Sequence, residues 1–375
     1  MMSSSNINNI ILVLPSYYSG QAAGNRMMAY AKEYAKLGKK VYLVLGASDN
    51  FDVPTIEGVD VKSVVDSSRN SLYKKVAEVV TELYTDDSAI HLYGTPFLMR
   101  YLSPKKYNFF IEFTEVPFYG RKHGLRASIT EWYKLHLAKK AKGLFVISQS
   151  LFDYYKSKGL KNIEVINMFV DGARFDSVIN MEDRKKIITY CGTISPEKDG
   201  VNILLKAFKL VLKRHPDYTL QIVGKGETEA LKREMENLSI ELGISESVIF
   251  TGLVPFEEMP KLLIESEILA LARPNNAFAK YGFPTKLGEY LCTGNPVVVT
   301  RVGEIGQFLT DKYNCIFAQP NNIEDFADKI CWAIEHREEC KRIGKEGREV
   351  SLTEFSSYQQ TAKALAFIES IKLSI

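Results

Sequence analysis

RPNNAFAKYGFPTKLGEYLCTGNPVVVT, residues 273–300, changes character three times within one compact unit. A polar loop rich in turn formers runs into Gly282 and Pro284, a short helix follows that carries Lys286 and Glu289, and Gly294 leads into the apolar run 296–300. Pro just inside a helix start and Gly just past its end are the punctuation this reading needs. Such a helix aims free backbone N–H groups and the positive end of its dipole at the preceding loop, a setting that favours a bound anion by about 0.3–2 kcal/mol. Lys286 and Glu289, three apart, share a helix face. They offer one cation for a phosphate and one carboxylate to accept hydrogen bonds from sugar hydroxyls. The same spacing describes a solvated ion pair of about 0.2–0.5 kcal/mol, and spacing alone leaves both readings open. Context favours the ligand. Strand-like runs at 268–272 and 296–300 flank the helix, so its N-terminus falls at the carboxyl edge of a parallel sheet, where open α/β folds place their ligands.

Working outward, apolar runs alternate with helix-period segments along the whole chain. Strands are expected at 10–14, 41–45, 89–93, 109–113, 144–147 and 164–166, then at 187–191, 220–223, 248–251, 268–272, 296–300 and 315–318. A helix is expected at 22–37, where Met27, Tyr30, Tyr34 and Leu37 recur at helical spacing. Others follow at 201–214 and 228–242. Two successive βαβ series mean two doubly wound α/β domains with parallel sheets. We place the first at 1–178 and the second at 179–356, with a C-terminal helix at 357–375 packing back on the first. A cleft between two such domains is the expected active site.

Each domain has a glycine-bearing turn after its first strand. Gly20 and Gly24 lie in SYYSGQAAGNR, and Gly192 opens GTISPEKDG, in which Lys198 follows Thr193. Such turns either admit a phosphate close to the backbone or are simply tight connections. The nearest approach to a dinucleotide fingerprint, Gly224-Lys225-Gly226, has Glu229 at its third glycine position, which argues against dehydrogenase-type cofactor binding.

With 375 residues, 46% hydrophobic and 25% charged, the chain has the composition of a soluble two-domain protein. Five cysteines without a CxxC pair or a neighbouring histidine cluster indicate neither a disulfide framework nor a zinc site, and suit a reducing cytoplasm. No apolar run reaches membrane-span length and the polar start lacks the features of a signal peptide. A net charge of +3 is too small to argue for nucleic acid. It is unevenly spread: Arg121, Lys122, Arg126, Lys134, Lys139, Lys140 and Lys142 face one acid, Glu131, with Trp132, Tyr133, Leu135 and Leu137 interleaved. This segment is either an ordinary surface helix or a basic amphipathic helix resting on an anionic membrane surface.

The order of segments resembles the retaining glycosyltransferases of family 4, which have the GT-B fold of two Rossmann-like domains. The resemblance runs through YCGTISPEKDGVNILLKAF, LQIVGKGE, VIFTGLVPFEEMPKLL, the block quoted above and GEIGQFLTDKYNCIFAQPNNIEDFADKI, and more loosely through FFIEFTEVP, AKGLFVISQSL and VINMFVD in the first half. It implies that Glu289, the second glutamate of an E-x7-E motif, binds the ribose of a nucleotide, that Lys198 contacts the donor diphosphate, and that Gly226 and Glu227 form the turn beside it. Leu253 and Val254 match the segment whose backbone reads the base. Gly20 and Gly24 match the first-domain loop near the diphosphate and acceptor, and Thr114 and Glu115 fall where many relatives carry an active-site histidine.

The chain departs from the family pattern at three points. Tyr281 stands for the first glutamate, Thr193 for the arginine after Gly192, and IEFTEVP contains no histidine. Lys286, Lys280 and Arg273 are the candidate replacement cations. The resemblance implies transfer of a hexosyl group from a nucleoside diphosphate sugar donor to a glycan or lipid-linked acceptor, with no metal and no other cofactor, in the cytoplasm or on the inner face of the cell membrane. A nucleotide-sugar epimerase of the same shape and a non-catalytic nucleotide- or sugar-binding protein are the alternatives.

Overall fold

The computed structural model describes residues 7–18, 21–115, 125–176 and 184–371. They form two compact units, one of residues 1–167 with 357–375 and one of residues 168–356.

The first unit holds seven parallel strands: β1 (Asn9–Leu14), β2 (Lys40–Ala47), β3 (Val59–Val65), β4 (Ser88–Tyr93), β5 (Phe109–Phe113), β6 (Gly143–Val146) and β7 (Ile163–Val165). Their order is β3-β2-β1-β4-β5-β6-β7. The central strands are buried on both faces, which is why they read as unbroken apolar runs. β3 escaped the sequence reading because it is an edge strand whose VDVKSVV remains mostly half-exposed. Helices α1 (Ala22–Lys36), α2 (Arg69–Leu83), α3 (Leu125–Ala138) and α4 (Gln149–Ser157) connect the strands. The last helix of the chain, spanning Ser357–Ser370, packs on α1, where Lys39 pairs with Glu369 at 2.7 Å.

The second unit repeats the scheme with six parallel strands. β8 (Lys185–Cys191), β9 (Thr219–Val223), β10 (Val248–Gly252), β11 (Ser266–Leu271), β12 (Val297–Thr300) and β13 (Ile316–Ala318) lie in the order β10-β9-β8-β11-β12-β13. Helices α5 (Pro196–Asp199), α6 (Val201–Arg214), α7 (Glu229–Glu241), α8 (Met259–Glu265), α9 (Ala277–Tyr281), α10 (Lys286–Cys292), α11 (Ile305–Phe308), α12 (Ile323–Glu335) and α13 (Arg337–Thr353) complete it, and the final helix of the first unit is α14. On α6, Val201, Leu204, Leu205, Phe208 and Val211 form the buried stripe that helical periodicity requires. Residues 168–176, placed with the first domain on sequence, pack in the second unit, where the Val170 N–H donates to the Phe355 carbonyl at 3.0 Å.

Beneath the first sheet, charges are sealed from water. Arg26 of α1 donates through Nε to Glu112 Oε1 of β5 at 2.7 Å, and its Nη groups donate to the carbonyls of Asn167 and Ile166 at 3.0 Å each. His91 Nε2 lies 3.1 Å from Glu112 Oε2. Burial alone would raise the Glu112 carboxyl; the Arg26 charge and the His91 contact hold it below the usual carboxylate range. A pair this deep is held by mutual attraction, and removing one partner strands the other. Arg26→Met should therefore lower the stability of the first unit by about 3–5 kcal/mol at neutral pH. In the wild type the Glu112 contribution is present above about pH 4 and fades as pH falls through the depressed folded value. In the variant the Arg26 charge is gone and the His91 contact remains, so burial raises that value and the deficit should shrink between pH 7 and pH 5; urea midpoints at the two values measure it.

Candidate functional site

The candidate residues of the second unit lie in the segments that follow the carboxyl ends of β8, β9, β10 and β11. β8 ends at Cys191 and turns at Gly192, whose φ of 153° suits glycine. A Cβ there would collide with the Lys286 ammonium, and one on Gly224 (φ 127°) would overlap the Gly192 carbonyl. Both glycines thus mark close approaches of one loop to another. Ser195 Oγ caps α5 by accepting from the Lys198 N–H at 3.3 Å, and Gly200 ends it in the left-handed region at φ 69°.

Asp199, 2% exposed, is the hub of this edge. It forms an ion pair with Lys286 of α10, lies 2.9 Å from the Tyr190 hydroxyl, and faces Arg273 with Nη1 at 3.8 Å from Oδ1. Lys286 Nζ also lies 3.3 Å from the Tyr190 hydroxyl, and Arg273 Nη2 donates to the Phe278 carbonyl at 2.7 Å. Burial would raise the Asp199 carboxyl, but Lys286 and Arg273 hold it below the usual range. Burial pushes the Lys286 ammonium below the usual lysine range, an effect that Asp199 partly offsets.

Lys286 and Glu289, three apart on α10, do not pair with each other. Glu289 instead accepts from Arg174 Nη1 at 2.8 Å, so the surface-pair reading of the two is set aside. The start of α10 also differs from expectation. Pro284 stands before the Thr285 cap rather than inside the helix. The N–H groups of Leu287 and Gly288 donate to the carbonyls of Pro284 and Thr285, which leaves fewer free donors for an anion than the sequence promised.

The other second-unit candidates lie in the turns and short helices that follow the strands. Lys198 is half-buried on α5 and Thr193 is exposed in the turn after Gly192. Gly226 pairs with Ile194 in an isolated bridge, and the Glu227 N–H donates to the Ile194 carbonyl at 3.2 Å, which ties the turn after β9 to the one after β8. Leu253, 72% exposed, and half-buried Val254 follow β10. On α9, exposed Lys280 lies over the Tyr281 ring at 5.2 Å and does not join the Asp199 cluster. Among the described residues, three candidates belong to the first unit. Gly24 of α1 packs against the Tyr17 ring, Thr114 Oγ1 lies 2.8 Å from the Tyr93 hydroxyl, and Glu115 is exposed. Gly20, Arg121 and Lys122 lie outside the described residues, as does the side chain of Arg126.

Sequence reasoning missed Asp199, Tyr190 and Arg174. An acid immediately before a helix-ending glycine was a usable sign for Asp199. Arg174 had no local sign at all, since its partner Glu289 stands 115 positions away. The five cysteines are buried free thiols.

If the Asp199 cluster is built this way, Asp199→Asn should destabilise the second unit by on the order of 3 kcal/mol at pH 7, by leaving Lys286 and Arg273 uncompensated. With the folded Lys286 value below the unfolded one of about 10.4, the unfolded chain binds more protons between the two values, so stability rises with pH there. The substitution lowers the folded value further and extends that window downward. Urea midpoints at pH 7 and 9 should converge towards the wild type at the higher pH.

Both units match the fold of known GT-B glycosyltransferases. An Anabaena protein, HepE, crystallised with UDP and glucose, superposes with a TM-score of 0.77 at 16% identity over 97% of this chain and 100% of that one. A glycosyltransferase from Rickettsia africae gives 0.71 at 20% identity over 97% and 98%. In sequence, an uncharacterized glycosyltransferase of Methanocaldococcus jannaschii is 28% identical over 162 residues, 43% of this chain and 42% of that protein. The D-inositol 3-phosphate glycosyltransferase of Corynebacterium urealyticum is 27% identical over 149 residues, 39% and 34% respectively. The chain thus spans well under two thirds of these curated relatives. Residues 173–350, nearly all of the second unit, match the family model of the glycosyl transferases group 1.

Proposed function

We propose that the protein is a retaining glycosyltransferase that moves a hexosyl group from a nucleoside diphosphate sugar to a hydroxyl of a glycan or lipid-linked acceptor, in the making of a surface polysaccharide or glycoconjugate. The observation that carries this reading is the match of the second unit to the glycosyl transferases group 1. The cation cluster at the carboxyl edge of its sheet supports it. In the transfer, the acceptor oxygen forms a bond to the anomeric carbon on the face the diphosphate leaves. The anomeric carbon–oxygen bond to the diphosphate breaks, and the acceptor proton passes to a phosphate oxygen. Negative charge accumulates on the departing diphosphate. Lys198, Lys286 and Arg273 meet it, in place of a metal and of the arginine that Thr193 replaces, by preorganised electrostatic stabilisation. Glu289 accepts from the ribose hydroxyls, and the backbone at Leu253 and Val254 reads the base. UDP, named with HepE, is the first base to try.

A thermal-shift series with UDP, GDP and ADP should raise the melting temperature with one of them, since a ligand that binds only the folded state stabilises it. Glu289→Ala should abolish that shift and lower turnover by on the order of tenfold or more; a variant with wild-type nucleotide affinity and turnover would remove Glu289 from the site. Sugar release or isomerisation from the donor alone would point to an epimerase. Binding without turnover across acceptor panels would point to a non-catalytic protein.

We also propose that the basic segment holds the protein to an anionic membrane surface. Ile129, Trp132 and His136 recur on one face of α3, with Ile129 57% and Trp132 65% exposed, and exposed Lys139 and Lys140 follow. No helix among the described residues is long and apolar enough to cross a membrane. Sedimentation with anionic vesicles at low salt, lost at about 0.5 M salt where screening is nearly complete, is the expected result. Trp132→Ser should weaken it.

A further inference from the structure

Glu289 is not alone. Arg174, in the 3-10 turn Gly172–Phe175, donates through Nη1 to Glu289 Oε1 at 2.8 Å and through Nη2 to the Phe256 carbonyl at 2.9 Å. Its guanidinium carbon lies 3.5 Å from the centroid of the Phe256 ring. Phe256 stands three residues beyond Leu253 in the loop after β10. One planar group therefore fastens α10 to that loop, using the fork geometry and aromatic stacking that distinguish arginine from lysine. Glu289 Oε2 has no hydrogen-bond partner among the described residues, and the side chain keeps 23% exposure, so one oxygen is held and the other is open.

We propose that Arg174 is a positioning residue for ribose recognition: it holds Glu289 through Oε1 so that Oε2 meets the hydroxyls of a ribonucleoside diphosphate, and sets the Leu253–Phe256 loop beside it. This rests on the reading of Glu289 as the ribose carboxylate. Two physical consequences follow. A glutamate already fixed in its rotamer loses less side-chain entropy when the ribose arrives. A guanidinium beside the carboxylate also cancels a negative charge that would repel the diphosphate. A carboxylate so held should reject a sugar that lacks the hydroxyl, because its oxygen would stay desolvated and unpaired.

The test is calorimetric titration of the full chain with UDP, GDP and ADP and with the 2′-deoxy and 3′-deoxy forms of whichever binds. The wild type should prefer the ribonucleotide by on the order of tenfold or more. Arg174→Ala should bring that ratio close to one, as should Glu289→Gln, and the double variant should fall no further. Arg174→Lys, which keeps the charge and loses the fork, should retain part of the affinity at a reduced ratio; it also serves if Arg174→Ala fails to fold. Equal weakening of ribose and deoxyribose forms, with the ratio intact, would overturn the inference and leave the ribose reading standing. A wild type that binds no nucleoside diphosphate, or binds one without ribose preference, would overturn the reading of Glu289 and the inference with it.

Discussion

The carboxyl edge of the second unit's sheet depends on one buried carboxylate. Asp199 takes Lys286 from α10, Arg273 from the end of β11 and the hydroxyl of Tyr190 from β8, so three segments far apart in sequence meet on a single charge. Two cations packed side by side with no acid between them would repel each other, and burial would drive the lysine towards its neutral form. The carboxylate offsets part of both costs. Its place in the chain is set by the caps around it: Ser195 starts α5 and Gly200 ends it.

The first unit solves a similar problem with the opposite outcome. Glu112 is likewise a carboxylate facing an arginine, with His91 on its second oxygen, but the Arg26 guanidinium spends its remaining donors on the carbonyls of Ile166 and Asn167. Another Nη donor reaches the Tyr30 hydroxyl at 3.2 Å, so the guanidinium is committed to the fold. Around Asp199 the balance is two cations to one acid, and Lys286 keeps 15% of its side chain exposed against the open turn at Gly192. The surplus positive charge, more than any one residue, distinguishes this cluster from the paired charges that hold the first unit together.

Much of this was legible in the chain, and what was not fails for definable reasons. Strands buried on both faces announce themselves as apolar runs, so β1, β5 and β11 stood out, while the edge strand β3 alternates weakly and did not. The block at 273–300 gave the right helix and the wrong cap, because Pro284 fits both inside a helix start and just ahead of it. Spacing placed Lys286 and Glu289 on one short helix and could go no further. Their partners, Asp199 and Arg174, lie 87 and 115 positions away, and no local pattern carries such a distance. The resemblance to a family gave Glu289 its expected role and left Lys286 as a replacement cation, and the charges that hold them came only with the fold.

The replacement of an arginine by Thr193 has a physical meaning in this setting. An arginine on the turn after β8 would bring its own fixed charge and a bidentate fork. Here the cation arrives from α10, as an ammonium lying against Gly192 and fastened from behind by Asp199 and Tyr190. A lysine so placed is a compact point charge with a value that its surroundings move, whereas arginine stays charged throughout. The charge of Lys286 is tied to Asp199, without which burial would push it further towards the neutral form. The packing at this turn also explains why Gly192 and Gly224 admit no side chain: the ammonium and the neighbouring carbonyl already fill the space that a Cβ would need. In this chain the ammonium beside the turn at Gly192 and the acid at position 199 belong to one arrangement, in which a cation from α10 is held at the sheet edge by a buried carboxylate.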